Sequence, residues 1–300
     1  MNEKMLSAGW SEHRFISFDE TPIFYRQLKT TEPAGAVVLI QHGMGEHGGR
    51  YRELAEFLAA KNISSFIPDL RGFGKSGGKR GCVRRFSDYF KDLRVIQRLA
   101  RDTGGETPFF LLGHSFGGLI LSAWISAFPE INPKGLVLSS PNFGISLHVP
   151  RWRHWLALSA ASLWPDITQD NRVNPDKLTH DARIRRWHRT DALIHNRISA
   201  GLYREMTRLL SRVDDIASKI SCPALVLQAG DDQIVSRPAT QLFFERLASQ
   251  DKELEIYENL YHEILNEIDR QAIFTHIACW IQHRMGNNTP ITLAEDTKSG

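Results

Sequence analysis

Short, continuously apolar runs recur along the chain at Val37 to Ile40, Ser65 to Ile67, Phe109 to Leu112, Leu136 to Leu138 and Leu225 to Leu227, separated by stretches of helical period. Runs of that length without alternation are strands covered on both faces, and their interleaving with helices predicts a doubly wound, mostly parallel α/β sheet. An earlier pair, Phe15 to Phe18 and Thr21 to Arg26, reads as a hairpin at the sheet's edge. Leu254 to Tyr257 alternates as a short later strand. Between Ser146 and Val213 the strand signals vanish, which predicts a helical insertion, or cap, in a core made of residues 1–145 and 214–285. The polar tail 286–300 has no apolar period and is expected to be disordered. At 300 residues and 42% hydrophobic content, the chain suffices for one such unit with its insertion, and it contains no internal repeat.

Within this pattern, Gly113-His114-Ser115-Phe116-Gly117 falls between the buried run ending at Leu112 and the helical run from Leu119 to Phe128. A G-x-S-x-G turn between strand and helix strains the backbone so that its serine stands above the sheet, with glycines where a Cβ would meet the neighbouring strand and helix. Ser115 is therefore the candidate nucleophile. A serine hydroxyl is a weak nucleophile at neutral pH and needs a histidine base oriented by a carboxylate. Downstream, Ala229-Gly230-Asp231-Asp232 leaves a buried strand at its carboxyl end, and Tyr261-His262-Glu263 follows the next strand. That order, serine then acid then histidine, makes His262 the base and leaves Asp231 and Asp232 as competing acids. His114, beside the nucleophile, is expected to pack beneath the turn. An oxyanion hole requires two N–H donors. Phe116 supplies one, and the glycine-rich His42-Gly43-Met44-Gly45-Glu46-His47 after an early strand supplies the Met44 amide as the second.

Taken with Arg50-Tyr51 and Asp69-Leu70-Arg71-Gly72-Phe73-Gly74-Lys75-Ser76, these segments resemble the monoacylglycerol lipase and lysophospholipase group of α/β-hydrolases from about Trp10 to Arg284. The resemblance implies the α/β-hydrolase fold, Asp232 as the catalytic acid, His262 as the base, and Glu46 and Arg50 at the glycerol end of an acyl-ester pocket. It implies no cofactor and no metal. Two positions depart from the group: Ala192 stands where a cap motif has proline, and Leu265 where the mammalian enzymes carry a further histidine, so headgroup preference is open while the hydrolytic machinery is complete.

Charge changes the picture in one place. Residues 146–213 hold twelve Lys or Arg against six Asp or Glu, whereas the whole chain is only +3, so the positive charge concentrates in the cap. Trp152, Trp155, Trp164 and Trp187 lie there too, and a basic, tryptophan-bearing roof either rests on an anionic lipid surface or packs its own core. Cys82, Cys222 and Cys279 have neither disulfide nor metal-ligand spacing, Met1-Asn2-Glu3-Lys4 leads into no apolar segment, and no stretch is long enough to span a bilayer; the reading is cytoplasmic. Gly72-Phe73-Gly74-Lys75-Ser76-Gly77 matches a dinucleotide fingerprint with Asp92 at the right distance, but Gly78-Lys79-Arg80-Gly81 follows where a helix would have to open. Nucleic acid is excluded by mixed charge and the lack of a recognition motif. The expectation is a serine hydrolase of monoacyl lipid esters, with a broad carboxylesterase, an aminopeptidase-like hydrolase and a silent binding protein as alternatives.

Overall fold

The computed structural model describes residues 9–146, 151–171 and 173–286. In chain order the elements are β1 (Trp10–Ile16), β2 (Pro22–Leu28), β3 (Ala36–Gln41), α1 (Arg52–Ala59), β4 (Ile63–Pro68), α2 (Ser87–Gly104), β5 (Phe109–His114), α3 (Phe116–Ala127), β6 (Gly135–Ser139) and α4 (Arg151–Leu163). There follow β7 (Thr168–Asp170), α5 (Ala182–Thr190), β8 (Arg197–Ser199), α6 (Ala200–Leu210), α7 (Val213–Ala217), β9 (Ala224–Ala229), α8 (Arg237–Arg246), β10 (Lys252–Tyr257) and α9 (Arg270–Arg284).

One sheet of eight strands runs in the order β1-β2-β4-β3-β5-β6-β9-β10. Only β2 is antiparallel to its neighbours; every other pairing is parallel. The central strands β3, β5, β6 and β9 are buried at every position, as continuous apolar runs require, whereas edge strand β10 alternates. Successive residues feed opposite faces. Val37 and Leu39 pack with α2, α3, α7 and α8, and Val38 and Ile40 with α1 and α9. This is the α/β-hydrolase fold, and it brings the carboxyl ends of β3, β5, β9 and β10 together at one edge.

The first strand of the hairpin sits earlier than its apolar pattern suggests, and Phe18 falls in the turn, where the cations of Arg71 and Lys91 cover its ring. The insertion also differs from an all-helical one: β7 and β8 pair as an antiparallel ribbon, Thr168 opposite Ser199. Three residues per strand are too few to show a period. From α6, Leu202 and Met206 enter the main core, so the insertion is anchored to the sheet at that end. Of the tail expected to be disordered, all but Gly286 lies outside the described residues, as does Met1 to Lys4.

Candidate active site

Ser115 links β5 to α3 with φ +51° and ψ −117°, a conformation that costs a residue with a Cβ about 1–3 kcal/mol and persists only where its surroundings enforce it. They do so from both sides. Its N–H donates to the Ser139 carbonyl at 2.9 Å, and its own carbonyl accepts from Asn142 and Gly118 at 3.0 Å each. The flanking glycines are a steric necessity: a Cβ on Gly113 would lie 2.7 Å from the Gly118 Cα, and one on Gly117 would lie 2.3 Å from the Gln41 carbonyl oxygen.

Above this elbow the Ser115 hydroxyl meets His262 Nε2 at 2.9 Å, and His262 Nδ1 meets Asp232 Oδ2 at 2.8 Å. Asp232 leaves the end of β9, with Oδ1 accepting from the Ile234 and Val235 amides at 2.9 Å each and Oδ2 from Gln228 at 3.3 Å. Asp231 is exposed and turned away. The two adjacent acids are thus separated by geometry that their sequence positions alone do not reveal. Burial favours the neutral form of both partners, but the opposite charges and the shared hydrogen bond prevail: the carboxyl of Asp232 is held below its ordinary value and the imidazole of His262 above its own. With Asp232 accepting at Nδ1, the neutral ring presents Nε2 as a base to Ser115.

Of the expected oxyanion donors, Met44 lines the cavity with Ser115, and Phe116 follows the serine directly. Among the described residues the N–H groups of Met44 and Phe116 have no protein acceptor. The loop bearing Met44 is fixed residue by residue. His42 bridges the Gly43 carbonyl at 2.7 Å and the Leu70 amide at 2.9 Å, Gly43 N–H donates to Glu46 at 2.6 Å, and the Gly45 carbonyl accepts from His195 of the insertion at 3.0 Å. His47 adds a second tie to the insertion, 2.9 Å from Asp191.

Glu46 and Arg50 border the cavity, but their charged atoms are turned to one another. Arg50 donates to Glu46 at 2.8 Å and in a fork to Glu263 at 2.7 and 2.6 Å, and Tyr51 adds a hydroxyl bond to Glu46 at 2.7 Å. Though burial works against the charges, the flanking ions hold both carboxyls below, and the guanidinium above, their ordinary values. These two residues therefore stiffen the loop at the border of the pocket. Glu263, the third member, is invisible to sequence reasoning, because its partner lies 213 positions away and nothing but its place beside His262 marks it. His114 is buried as expected, but it borders the cavity beside His262, donating to the Ser139 carbonyl at 3.0 Å, and burial together with neighbouring His262 pushes its imidazole down to about 4.

A cavity of about 900 Å³ opens over Ser115 and His262. Its lining includes the apolar Ile145, Leu156, Ala160, Trp164, Met206 and Val235 and the polar Gln169, Asn171, His188 and Asn196. Trp152, Leu156 and Trp164 border this cavity and are still 63%, 62% and 66% exposed, and Trp155, outside the lining, is 67% exposed, so these tryptophans do not form a cap core. Trp187 differs, standing edge-on to His47 with Arg50 over its ring.

A strained serine elbow, a histidine and a buried carboxylate at the carboxyl edge of this sheet define a serine-type α/β-hydrolase. The chain belongs to the hydrolase family described as serine aminopeptidase, S33, whose model matches residues 32–269. It is 30% identical over 279 residues to a monoacylglycerol lipase of Mycolicibacterium smegmatis, covering 92% of this chain and 99% of that one, and 31% identical over 242 residues to phospholipase YtpA of Bacillus subtilis, covering 80% and 92%. The crystal structure of a monoacylglycerol lipase from Paleococcus ferrophilus superposes with a TM-score of 0.80 at 28% identity, over 87% of this chain and 99% of that one. Within the family the chain is thus a serine hydrolase of the monoacylglycerol lipase and lysophospholipase group.

Proposed function

We propose that this protein hydrolyses carboxylic esters of a single long acyl chain, monoacylglycerol or lysophospholipid, through an acyl-enzyme on Ser115. The Ser115 oxygen attacks the ester carbonyl while His262 Nε2 takes its proton, and the oxyanion forms opposite the Met44 and Phe116 amides. Collapse breaks the ester bond, and the imidazolium returns the proton to the departing alcohol. Water then attacks the acyl-Ser115 ester, again losing its proton to His262, and as the acyl–oxygen bond breaks the imidazolium returns that proton to Ser115, releasing the fatty acid. Asp232 fixes the tautomer and offsets the imidazolium charge throughout. No cofactor is required for any step.

The observation that carries the reading is the Ser115–His262–Asp232 line on the floor of a cavity whose apolar lining includes the exposed Trp152, Leu156 and Trp164. The apolar lining suits an acyl chain, and Gln169, Asn171, His188 and Asn196 offer polar groups for the alcohol. We divide the chain into a hydrolase core, residues 1–145 and 214–285, and a cap, 146–213, whose exposed tryptophans dip into a lipid surface to collect substrate. Among the described residues no helix is long and apolar enough to cross a membrane, which supports peripheral contact. Three unpaired cysteines support a cytoplasmic setting, at the inner face of the membrane.

A panel of monooleoylglycerol, oleoyl lysophosphatidylcholine, a soluble butyrate ester and an aminoacyl amide tests the substrate class. The monoacyl lipids should have the highest kcat/KM. Butyrate turnover without lipid turnover would replace this reading with that of a carboxylesterase, and amide turnover alone would make the protein an aminopeptidase.

A further inference from the structure

His262 sits in a loop whose backbone is held at both adjacent amides by groups outside the triad. The Tyr261 N–H donates to Glu267 Oε1 at 3.0 Å, and the Glu263 N–H donates to the Leu178 carbonyl of the cap at 2.7 Å. A 3-10 turn, Ile264–Asn266, brings the chain back so that the Glu267 carboxylate lies against Tyr261. That carboxylate is 1% exposed, and the cap supplies its other donors: His180 Nδ1 on Oε1 at 2.9 Å and the His180 amide on Oε2 at 3.0 Å, while the Thr179 hydroxyl, which donates to the Asn266 carbonyl at 2.9 Å, also lies 3.3 Å from Oε2. Tyr261 completes the joint by stacking on His180, ring centroids 3.7 Å apart. On the outer side Arg270 donates to the Glu267 carbonyl at 2.7 Å and reaches Asp181 of the cap at 3.3 Å. A buried carboxylate with this many donors is held in one place, and so is every backbone group that donates to it.

We propose that Glu267 is a positioning residue for His262, fixing the backbone before the imidazole and joining it to cap segment Leu178–Asp181, so that the base and the cap move as one body. The proposal rests on the reading of His262 as the general base. The physical reason for a kinetic effect is tolerance: Nε2 and Nδ1 must face Ser115 and Asp232 at once, and a misplacement of about 1 Å costs on the order of a hundredfold in rate. A second signature follows from charge. The imidazole is surrounded by Asp232 from the β9–α8 loop, Glu46 and Arg50 from the loop after β3, its neighbour Glu263, and His114 from β5. Of these, Asp232 does most to hold it protonated, against the opposing effect of burial, so a loosened loop weakens that contact and lets the imidazole titrate lower.

Glu267→Gln replaces an acceptor oxygen with an amide NH2, itself a donor, facing donors on either side, while keeping the side chain's shape. With monooleoylglycerol, the expected result is a fall in kcat of about tenfold to a hundredfold with KM within a few fold, and an acid limb of kcat/KM moved to lower pH. A folded variant with unchanged kcat overturns the proposal, and so does a lowered kcat with an unmoved acid limb, which is what simple structural damage produces. If Glu267→Gln does not fold, His180→Ala, which removes one donor and leaves the carboxylate in place, is measured in the same way. A smaller loss with the same direction of shift is expected, and no shift overturns the proposal. Ser115→Ala run alongside separates the two levels: if it abolishes turnover while Glu267→Gln does not lower it, the positioning role alone fails, and if Ser115→Ala stays active, the catalytic reading fails first.

Discussion

The floor and the roof of the cavity are built on opposite principles. On the floor, Ser115, His262, Asp232, Glu46, Arg50 and Glu263 are joined by hydrogen bonds of 2.6 to 2.9 Å, and each strained or charged element is held by a neighbour. On the roof, α4 and the residues after it leave large apolar side chains exposed. Fixed polar geometry is what lowers a barrier, because donors already in place need no reorganisation when charge develops. Exposed apolar surface of this extent is costly in water and marks a contact with something apolar. In the function proposed above, the floor carries out the chemistry and the roof is where it meets its substrate.

The difference can be broken most severely at the floor. Asp232→Asn should lower kcat about 10⁴-fold, the scale on which a histidine loses its productive tautomer, while exposed Asp231→Asn stays near wild type. Steady-state kinetics with monooleoylglycerol decides it, and equal losses would remove Asp232 from its place. Next in size is the buried ion group. Arg50→Met leaves Glu46 and Glu263 facing each other without a cation, and losing one partner of such a group costs about 3–5 kcal/mol, read by urea denaturation at pH 7. Because both carboxyls are held below their ordinary 4.5 in the wild type, their stabilisation is present above that pH and is lost as pH falls, so the gap between wild type and variant should close in acid. A gap that does not depend on pH would mean the loss is one of packing.

The roof should respond more gently. Trp152→Ser with Trp155→Ser withdraws two exposed rings, at roughly 1 kcal/mol or more each from buried apolar area, so hydrolysis of vesicle-borne monoacyl lipid should fall about tenfold or more. A soluble short ester, which meets the same triad, should be hydrolysed at the wild-type rate. Equal loss on both substrates would show that the rings support the fold.

How much of this was legible in the sequence follows the same division. The central strands, the elbow and the order of serine, acid and histidine are local patterns, and they appear where the apolar runs put them. The choice between Asp231 and Asp232 was not local, since it depends on which carboxylate the β9 loop turns toward β10, and only family resemblance separated them. Glu46 and Arg50 were expected at the pocket and do border it, but their engagement with Glu263 joins segments far apart in the chain. The ribbon of β7 and β8 was missed because three-residue strands carry no period. The exposure of Trp152, Trp155 and Trp164 depends on how α4 lies over the sheet, which composition does not specify.

The central claim is that Ser115 carries the acyl group of a monoacyl lipid during turnover. Acid-quenching the protein within its first turnovers on monooleoylglycerol, followed by mass spectrometry of the peptide containing Ser115, tests it directly. The account predicts an added oleoyl group on Ser115, lost on further incubation, and none in Ser115→Ala, which should also be inactive. Ester hydrolysis that persists in Ser115→Ala, or an acyl group found on another residue, would contradict it.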